Sequence, residues 1–182
     1  MFGELLEADL RRRSISGAFE YRALDELTLT IGGGASVGGE LRILGQRHHL
    51  LPGPVGVLGA AYRILDGKGW EPFLLFGGAF SLSTVGTRRR LDDARARMTA
   101  MDARFSLTAG EVFLDAIAPY LTVRGFGGPV SWTLDGQDLS GSDKYHFQAG
   151  GGLLITAGMV DAFFELVPLG ERSAVFGGAV SF

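Results

Sequence analysis

Cysteine is absent from all 182 residues. Disulfide frameworks, thiolate zinc sites and cysteine nucleophiles are excluded together. Histidine occurs only three times, so a multi-histidine metal centre would consume nearly all of it. No segment reaches the roughly 18 consecutive apolar residues that a membrane-crossing helix needs, although 46% of the chain is hydrophobic and its mean hydropathy is positive. No basic or acidic tail is present, and the net charge is −3. The basic residues are scattered, which argues against a nucleic-acid footprint. Proline is scarce, at six residues, so a Pro/Gly linker is a poor description.

Glycine is what the chain has in excess. Its 29 residues are roughly twice the usual share of about 7%, and they do not recur in threes, which excludes collagen. A hydrophobic chain without an apolar helix is either a soluble protein with a large core or a β-barrel. The period of its hydrophobic pattern separates the two.

Period two dominates. Near the C-terminus, Ala174, Phe176, Gly178, Val180 and Phe182 share one face, and Ser173, Val175, Gly177, Ala179 and Ser181 the other. Leu27, Leu29, Ile31, Ala35 and Val37 oppose Glu26, Thr28, Thr30 and Gly32. Ala103, Phe105, Leu107 and Ala109 oppose Asp102, Arg104, Ser106 and Thr108. Tyr145, Phe147, Ala149, Leu153 and Ile155 oppose His146, Gln148, Gly150 and Gly152. Each segment is about ten residues or more, the length of a tilted strand crossing a bilayer.

The pattern predicts ten strands, at 13–22, 26–36, 40–45, 55–65, 70–85, 99–113, 117–132, 144–156, 159–167 and 172–182, with eight as the alternative count. Tight turns fall at Val37-Gly38-Gly39, 66–69, 114–116 and Ala157-Gly158. The alternate connections include the polar loops 46–54, 86–98 and 133–143, besides short ones near 23–25 and 168–171. Short turns on one rim and long loops on the other characterise an outer-membrane barrel. Phe2 to Arg13 places acids early, arginines late and Leu5, Leu6 and Leu10 on one face, which predicts a short amphipathic helix aligned with its dipole, capping the barrel or lying on the membrane. The expected organisation is a helical segment over 1–13 and a barrel over 14–182. The N-terminus carries no apolar signal core and no cleavage site; since a barrel must be exported, its signal is expected to have been removed.

The end SAVFGGAVSF (173–182), with its terminal aromatic Phe182 and alternating apolar residues, resembles the C-terminal signature of bacterial outer-membrane β-barrels. The segments WEPFLLFGGAF (70–80) and IAPYLTVRGFGG (117–128) resemble strands of small OmpA-like or OmpW-like barrels. Gly178 departs from the usual larger apolar residue. The resemblance implies an antiparallel up-and-down transmembrane barrel in the outer membrane. It also implies a terminal strand read by the barrel-assembly machinery through Phe182, and it brings no catalytic motif or cofactor.

The competing fold is a soluble lipocalin-like barrel that binds a small molecule, apolar inside and polar outside. The polar strand faces carry Arg42, Arg63, Arg104 and Arg124 with Glu20, Glu40, Asp102, Asp161 and Glu165. In a membrane barrel these must line the lumen, since a mid-plane Arg or Lys facing lipid costs about 2–4 kcal/mol. There they are expected to form ion pairs that close the interior. Trp70, Trp132, Tyr21, Tyr62, Tyr120 and Tyr145 fall near strand ends, as interfacial girdles do.

Motifs for chemistry are sparse. His48 and His49 read as solvated loop residues. His146 lies near the outer end of the polar face and reads as structural; with Ser140, Ser142 and Asp143 nearby it also suggests the Ser/His/acid set of a lipid-modifying enzyme, though no spacing rule makes that specific. Gly32 to Gly34 and Gly150 to Gly152 read as strand-interior glycines rather than phosphate loops. The densest charge cluster, 87–97, reads as a solvated outer loop whose Arg88, Arg89 and Arg90 suit the phosphates of lipopolysaccharide. The leading expectation is a non-enzymatic structural, anchoring or narrow-pore barrel.

Overall fold

The computed structural model describes residues 8–43, 45–67, 69, 71–89, 94–134 and 137–181. Among them there is no helix. Twelve strands form one antiparallel sheet: β1 (Ala8–Arg22), β2 (Leu27–Ile43), β3 (Gln46–Leu50), β4 (Gly53–Asp66), β5 (Phe73–Arg89), β6 (Arg95–Gly110), β7 (Ile117–Gly127), β8 (Pro129–Leu134), β9 (Gln137–Ser142), β10 (Phe147–Ala157), β11 (Val160–Leu169) and β12 (Ser173–Val180).

The long path through the sheet has nine strands, β1-β2-β4-β5-β6-β7-β10-β11-β12, each antiparallel to the next. The short strands continue it at one end. There β3 bridges β2 and β5, β8 pairs β6, and β9 pairs β8. The sheet curls. Arg12 Nη1 donates to Ser83 Oγ at 3.2 Å, although β1 and β5 lie three strands apart. A flat sheet would separate them by about 14 Å, beyond an arginine's reach.

The twelve strands correct the expected ten in both directions: β3 and β9 arise in expected loops and 117–132 divides into β7 and β8, while 26–36 and 40–45 merge into one strand at Gly38-Gly39. Both glycines have positive φ, +139° and +157°, which suggests a turn in the sequence. Instead the register slips between Arg13↔Gly38 and Ser14↔Ser36, leaving Val37 as an extra residue. This is a β-bulge inside one 17-residue strand. The connection near 23–25 therefore joins the same rim as the turn at 67–72. Several supposed outer loops are strand as well: β3, the end of β5, the start of β6 and the β8–β9 hairpin. The N-terminal helix is also corrected. Ala8 to Arg13 pair along β2 from Ile43 to Gly38, because a partner ladder outweighs the local helical spacing. The rest of the expected helix lies outside the described residues, as do Trp70, Arg90 and Phe182.

The bulge has a large effect on sidedness. Before it, Leu29 and Ile31 are exposed; after it, Leu41 and Ile43 are buried at the same odd positions. The sheet thus has two zones. In the longer zone the outward face is apolar and exposed: Leu29, Ile31, Leu58, Phe76, Phe80, Met101, Phe105, Leu107, Phe147, Phe164, Phe176 and Val180. The concave face there is mixed: Asp102, Arg104, Ser106 and Thr108 line it on β6, with the buried Phe126 and Val167 among them. In the end zone the polarity inverts. Leu41, Ile43, Leu50, Val85, Met98 and Trp132 pack together inside, while Arg42, Arg47, His49, Arg95 and Arg97 point out.

The sheet has two edges. An odd number of antiparallel steps is needed to close such a ring by antiparallel pairing, and the path supplies eight. So β1 and β12 run in the same direction, and among the described residues no pairing joins them. Both are exposed on both faces along almost their whole length. Amide exchange in detergent should follow this: amides of the β5–β6 ladder are expected to exchange far more slowly than those on the outer edges of β1 and β12. Equal protection at β1 would show that the seam is sealed.

Candidate functional site

The charged groups of the concave face begin on β7 and β11. Arg124 donates two parallel hydrogen bonds to Glu165, Nη1 to Oε1 and Nη2 to Oε2, each 2.6 Å. Tyr120 donates its hydroxyl to Glu165 Oε2 at 3.2 Å. The Glu165 side chain is only 8% exposed and that of Arg124 20%. A carboxylate held this far from water needs such a fork of donors.

These partners are not on adjacent strands, since β10 runs between them. The group forms because β10 has glycine where it would otherwise be in the way. Gly152 pairs with Tyr120 on one side and with Glu165 on the other. A Cβ there would lie 2.5 Å from the Tyr120 hydroxyl and 2.5 Å from the Phe164 carbonyl oxygen. Gly150 plays the same part beside Val167. Below the cluster, Thr108 donates to Thr122 at 3.0 Å, joining β6 to β7.

The other expected interior charges form no ion pair across strands on the concave face among the described residues. Arg104 pairs with Asp102 on its own strand at 3.1 Å and sits over the Phe126 ring at 5.1 Å. Arg63 pairs with Asp66, three residues on, at 3.0 Å and donates to the Asp25 carbonyl at 2.7 Å. Arg42 bonds Glu40 at 2.5 Å, and both lie on the outer face because the Val37 bulge changed their side. Glu20 is exposed on β1, Asp161 is half-buried on β11, and neither is in an ion pair among the described residues. The expected set of pairs closing the interior is corrected to one cross-strand group, Arg124–Glu165–Tyr120.

A second cluster occupies the mouth of the curl. Asp143 and Glu171, on the connections before β10 and β12, stand near Asp102 and Arg104. Partial withdrawal from water in the concavity raises the Asp143 carboxyl above its ordinary range, with the Asp102 charge adding. The same withdrawal raises Glu171, with Asp143 next in effect, although its side chain still meets solvent. Arg104 and Arg12 oppose the shift at Glu171. Arg12 belongs to the opposite edge strand, so both sheet edges contribute to this mouth. Beside it an open groove of about 640 Å³ is lined by residues that include Lys144, His146, Phe147 and Arg172.

Three readings of single residues change. His48 is buried, 1% exposed, and meets Trp132 edge-on at 4.9 Å; alternation along β3 sends it inward and its neighbour His49 outward. Trp132 is fully buried and donates Nε1 to Thr87 at 2.9 Å, so it anchors the end-zone core rather than an interfacial girdle. Arg88 and Arg89 belong to β5 rather than to a loop. No sequence motif marked Tyr120 or Gly152 as a pair, because the signal is cross-strand register.

His146 Nδ1 lies 3.2 Å from the Phe126 carbonyl oxygen, and Ser140 sits on β9 opposite Ser131. No group of three histidine or acidic side chains among the described residues is arranged to hold a metal ion. Comparison with family models, curated proteins and solved structures gives no match.

Removing one member of the Arg124–Glu165 pair strands the other. Arg124→Ala is expected to cost about 3 kcal/mol in urea unfolding, the low end for a well-buried pair. Arg124→Ala with Glu165→Ala should cost less than the single change; equal or greater damage in the double variant would show that the charges are not coupled.

The raised carboxyls give a pH dependence. A carboxyl that holds its proton more tightly when folded favours the folded state at low pH, and that contribution is lost as pH rises from the ordinary carboxylate range through the raised folded value. Asp143→Asn with Glu171→Gln should therefore resist urea better than the parent at neutral pH and show no advantage in acid. An advantage independent of pH would remove the electrostatic explanation.

Proposed function

We propose that the chain is a non-enzymatic β-barrel protein of the bacterial outer membrane, with a structural or anchoring role or at most a narrow conducting path. The observation that carries this reading is the exposed apolar belt. Its residues lie on one face of nearly every path strand, and the charged residues of the belt's strands lie mostly on the other, with a few buried apolar side chains such as Phe126 and Val167. Contiguous apolar surface of this extent is rare on soluble monomers. On β6 the belt runs from Met101 to Ala109, nine residues. At about 3.3 Å rise per residue and about 40° tilt this spans roughly 20–25 Å, close to the apolar band of outer-membrane barrels. A lipocalin-like binder needs the reverse distribution, with Leu29, Phe105 and Phe147 inside.

The interior supports low conductance. The Arg124–Glu165–Tyr120 group fills part of the concave face over β10 within the belt, and the Trp132 cluster occupies part of the end zone. Sheets of about eight strands already have interiors filled by side chains.

The test is flotation and gel mobility. The refolded protein is expected to need detergent, to float with lipid vesicles on a density gradient, and to migrate faster unheated than heated. Planar-bilayer recordings should give small or no steps. A monodisperse, detergent-free species that does not float with vesicles would overturn the membrane reading.

A further inference from the structure

The two edges of the path, β1 and β12, run in the same direction because an even number of antiparallel steps separates them. They also come near each other at the mouth, where the Arg12 charge on β1 acts on Glu171, just ahead of β12. Counting down both strands from that point sets Ser14 level with Ser173, Ser16 with Val175 and Ala18 with Gly177. All six are on the concave face. Those on β1 share the side of Arg12, and those on β12 stand opposite Val167, Glu165 and Phe163.

Among the described residues, β1 pairs only with β2 and β12 only with β11. Backbone groups on their outer edges would find no water in a bilayer core either. The apolar side chains show the same missing neighbour. Phe176 is 81% exposed and Ile15 71%, whereas Leu107 and Phe105, flanked by strands on both sides, are 41% and 59% exposed.

The ways of meeting these edges differ in strand direction. Joined directly, β1 and β12 would pair in parallel, the less stable ladder. A second copy inserted the same way up would offer edges that again run in the same direction. One added strand of opposite direction would be antiparallel to β1 and to β12 at once. Residue size says what such a strand carries. The inner faces of the edges are small at Ser14, Ser16, Ala18 and Gly177, which leaves room beside β1 for large inward side chains. Outward, it would lie beside Ile15, Phe19 and Phe176, which calls for apolar residues. We propose that the seam between β1 and β12 is a docking site for one extended segment of a separate polypeptide, antiparallel to both edges, with apolar side chains toward lipid alternating with bulky ones toward the interior. The proposal rests on the membrane reading above. Since β1 runs from the mouth to the turn rim, the guest lies with its C-terminal end at the mouth.

The chain has no cysteine, so introduced cysteines report without background. The probe is a synthetic peptide of about ten residues, long enough to cross, alternating leucine or valine with tyrosine or threonine. It carries one inward cysteine near either its N- or its C-terminal end and is added during refolding into phosphatidylcholine vesicles. The C-terminal cysteine should form a disulfide with Ser14→Cys and the N-terminal one with Ala18→Cys, positions about 13 Å apart along the strand. Each should link at least about tenfold faster than the crossed combination, or than Ser106→Cys within the sheet. A central proline in the peptide should abolish linkage, since it removes a ladder donor. In the cysteine-free parent, the peptide should slow exchange of the outer β1 amides; unchanged exchange there overturns the site however the variants fold. Linkage without end preference, or with the preference reversed, overturns antiparallel docking. Ready disulfide formation in Ser16→Cys/Val175→Cys without peptide would show that the edges meet directly, because it requires Cα atoms within about 7 Å. Disulfides between two copies would show that a second copy covers the seam. Each of these outcomes removes the guest strand while a parent that floats with vesicles keeps the membrane reading. A parent that does not float overturns both.

Discussion

A backbone N–H or C=O surrounded by hydrocarbon has no water to fall back on, and each one left unmet costs several kcal/mol. In a sheet whose outer face is apolar, the hydrogen-bond ladder between strands is therefore the interaction on which everything else depends. Its continuity is visible in the unbroken register of β5 with β6, from Phe73↔Gly110 to Arg88↔Arg95. Side-chain packing is secondary: the largest buried apolar cluster sits at one end, and the belt has little apolar core of its own. The two edges are where the ladder stops, and they are also the strands with the least buried side chains.

Once the ladder is given, sidedness follows from counting residues. One extra residue at Val37 changes which side of β2 faces inward. This lets one strand be apolar-out in the belt and apolar-in around Trp132. β5 and β6 make the same change without a bulge, by altering composition: Phe80 and Leu82 give way outward to Thr84 and Gly86, while Ser81 and Ser83 give way inward to Val85 and Thr87. Both routes reach the same boundary, so the inversion is a property of position along the sheet. Within the belt, glycine on β10 does the complementary work by clearing the way for Arg124 and Tyr120 to reach Glu165.

Much of this was legible from period two. Asp102 to Gly110 is unambiguous, since Phe105 and Leu107 can share a face only if Arg104 and Ser106 occupy the other. The all-β antiparallel character follows from several such segments. Other features were not legible, for identifiable reasons. Gly38-Gly39 satisfies the requirements of a hairpin turn and of a bulge equally, because both use positive φ; only the partner strand distinguishes them. Leu10 reads as part of a helical stripe, but in β1 it stands opposite Leu41, and that contact lies 31 residues away in sequence. His48 and His49 are chemically identical, and one residue of register decides that the first is buried and the second exposed. The charges failed similarly: the polar faces supplied four arginines and five acids, but only Arg124 and Glu165 lie on strands whose separation lets them meet through a glycine gap.

The odd number of passes gives the molecule a direction. After nine strands along the long path, Ala8 and Ser181 stand at opposite rims, whereas an even-stranded path would return them to the same one. In a bilayer, polypeptide attached ahead of Ala8 and polypeptide attached after Ser181 would reach different compartments. The sheet would then act as a connector threaded through the membrane, able to tether something on each side by one continuous covalent chain.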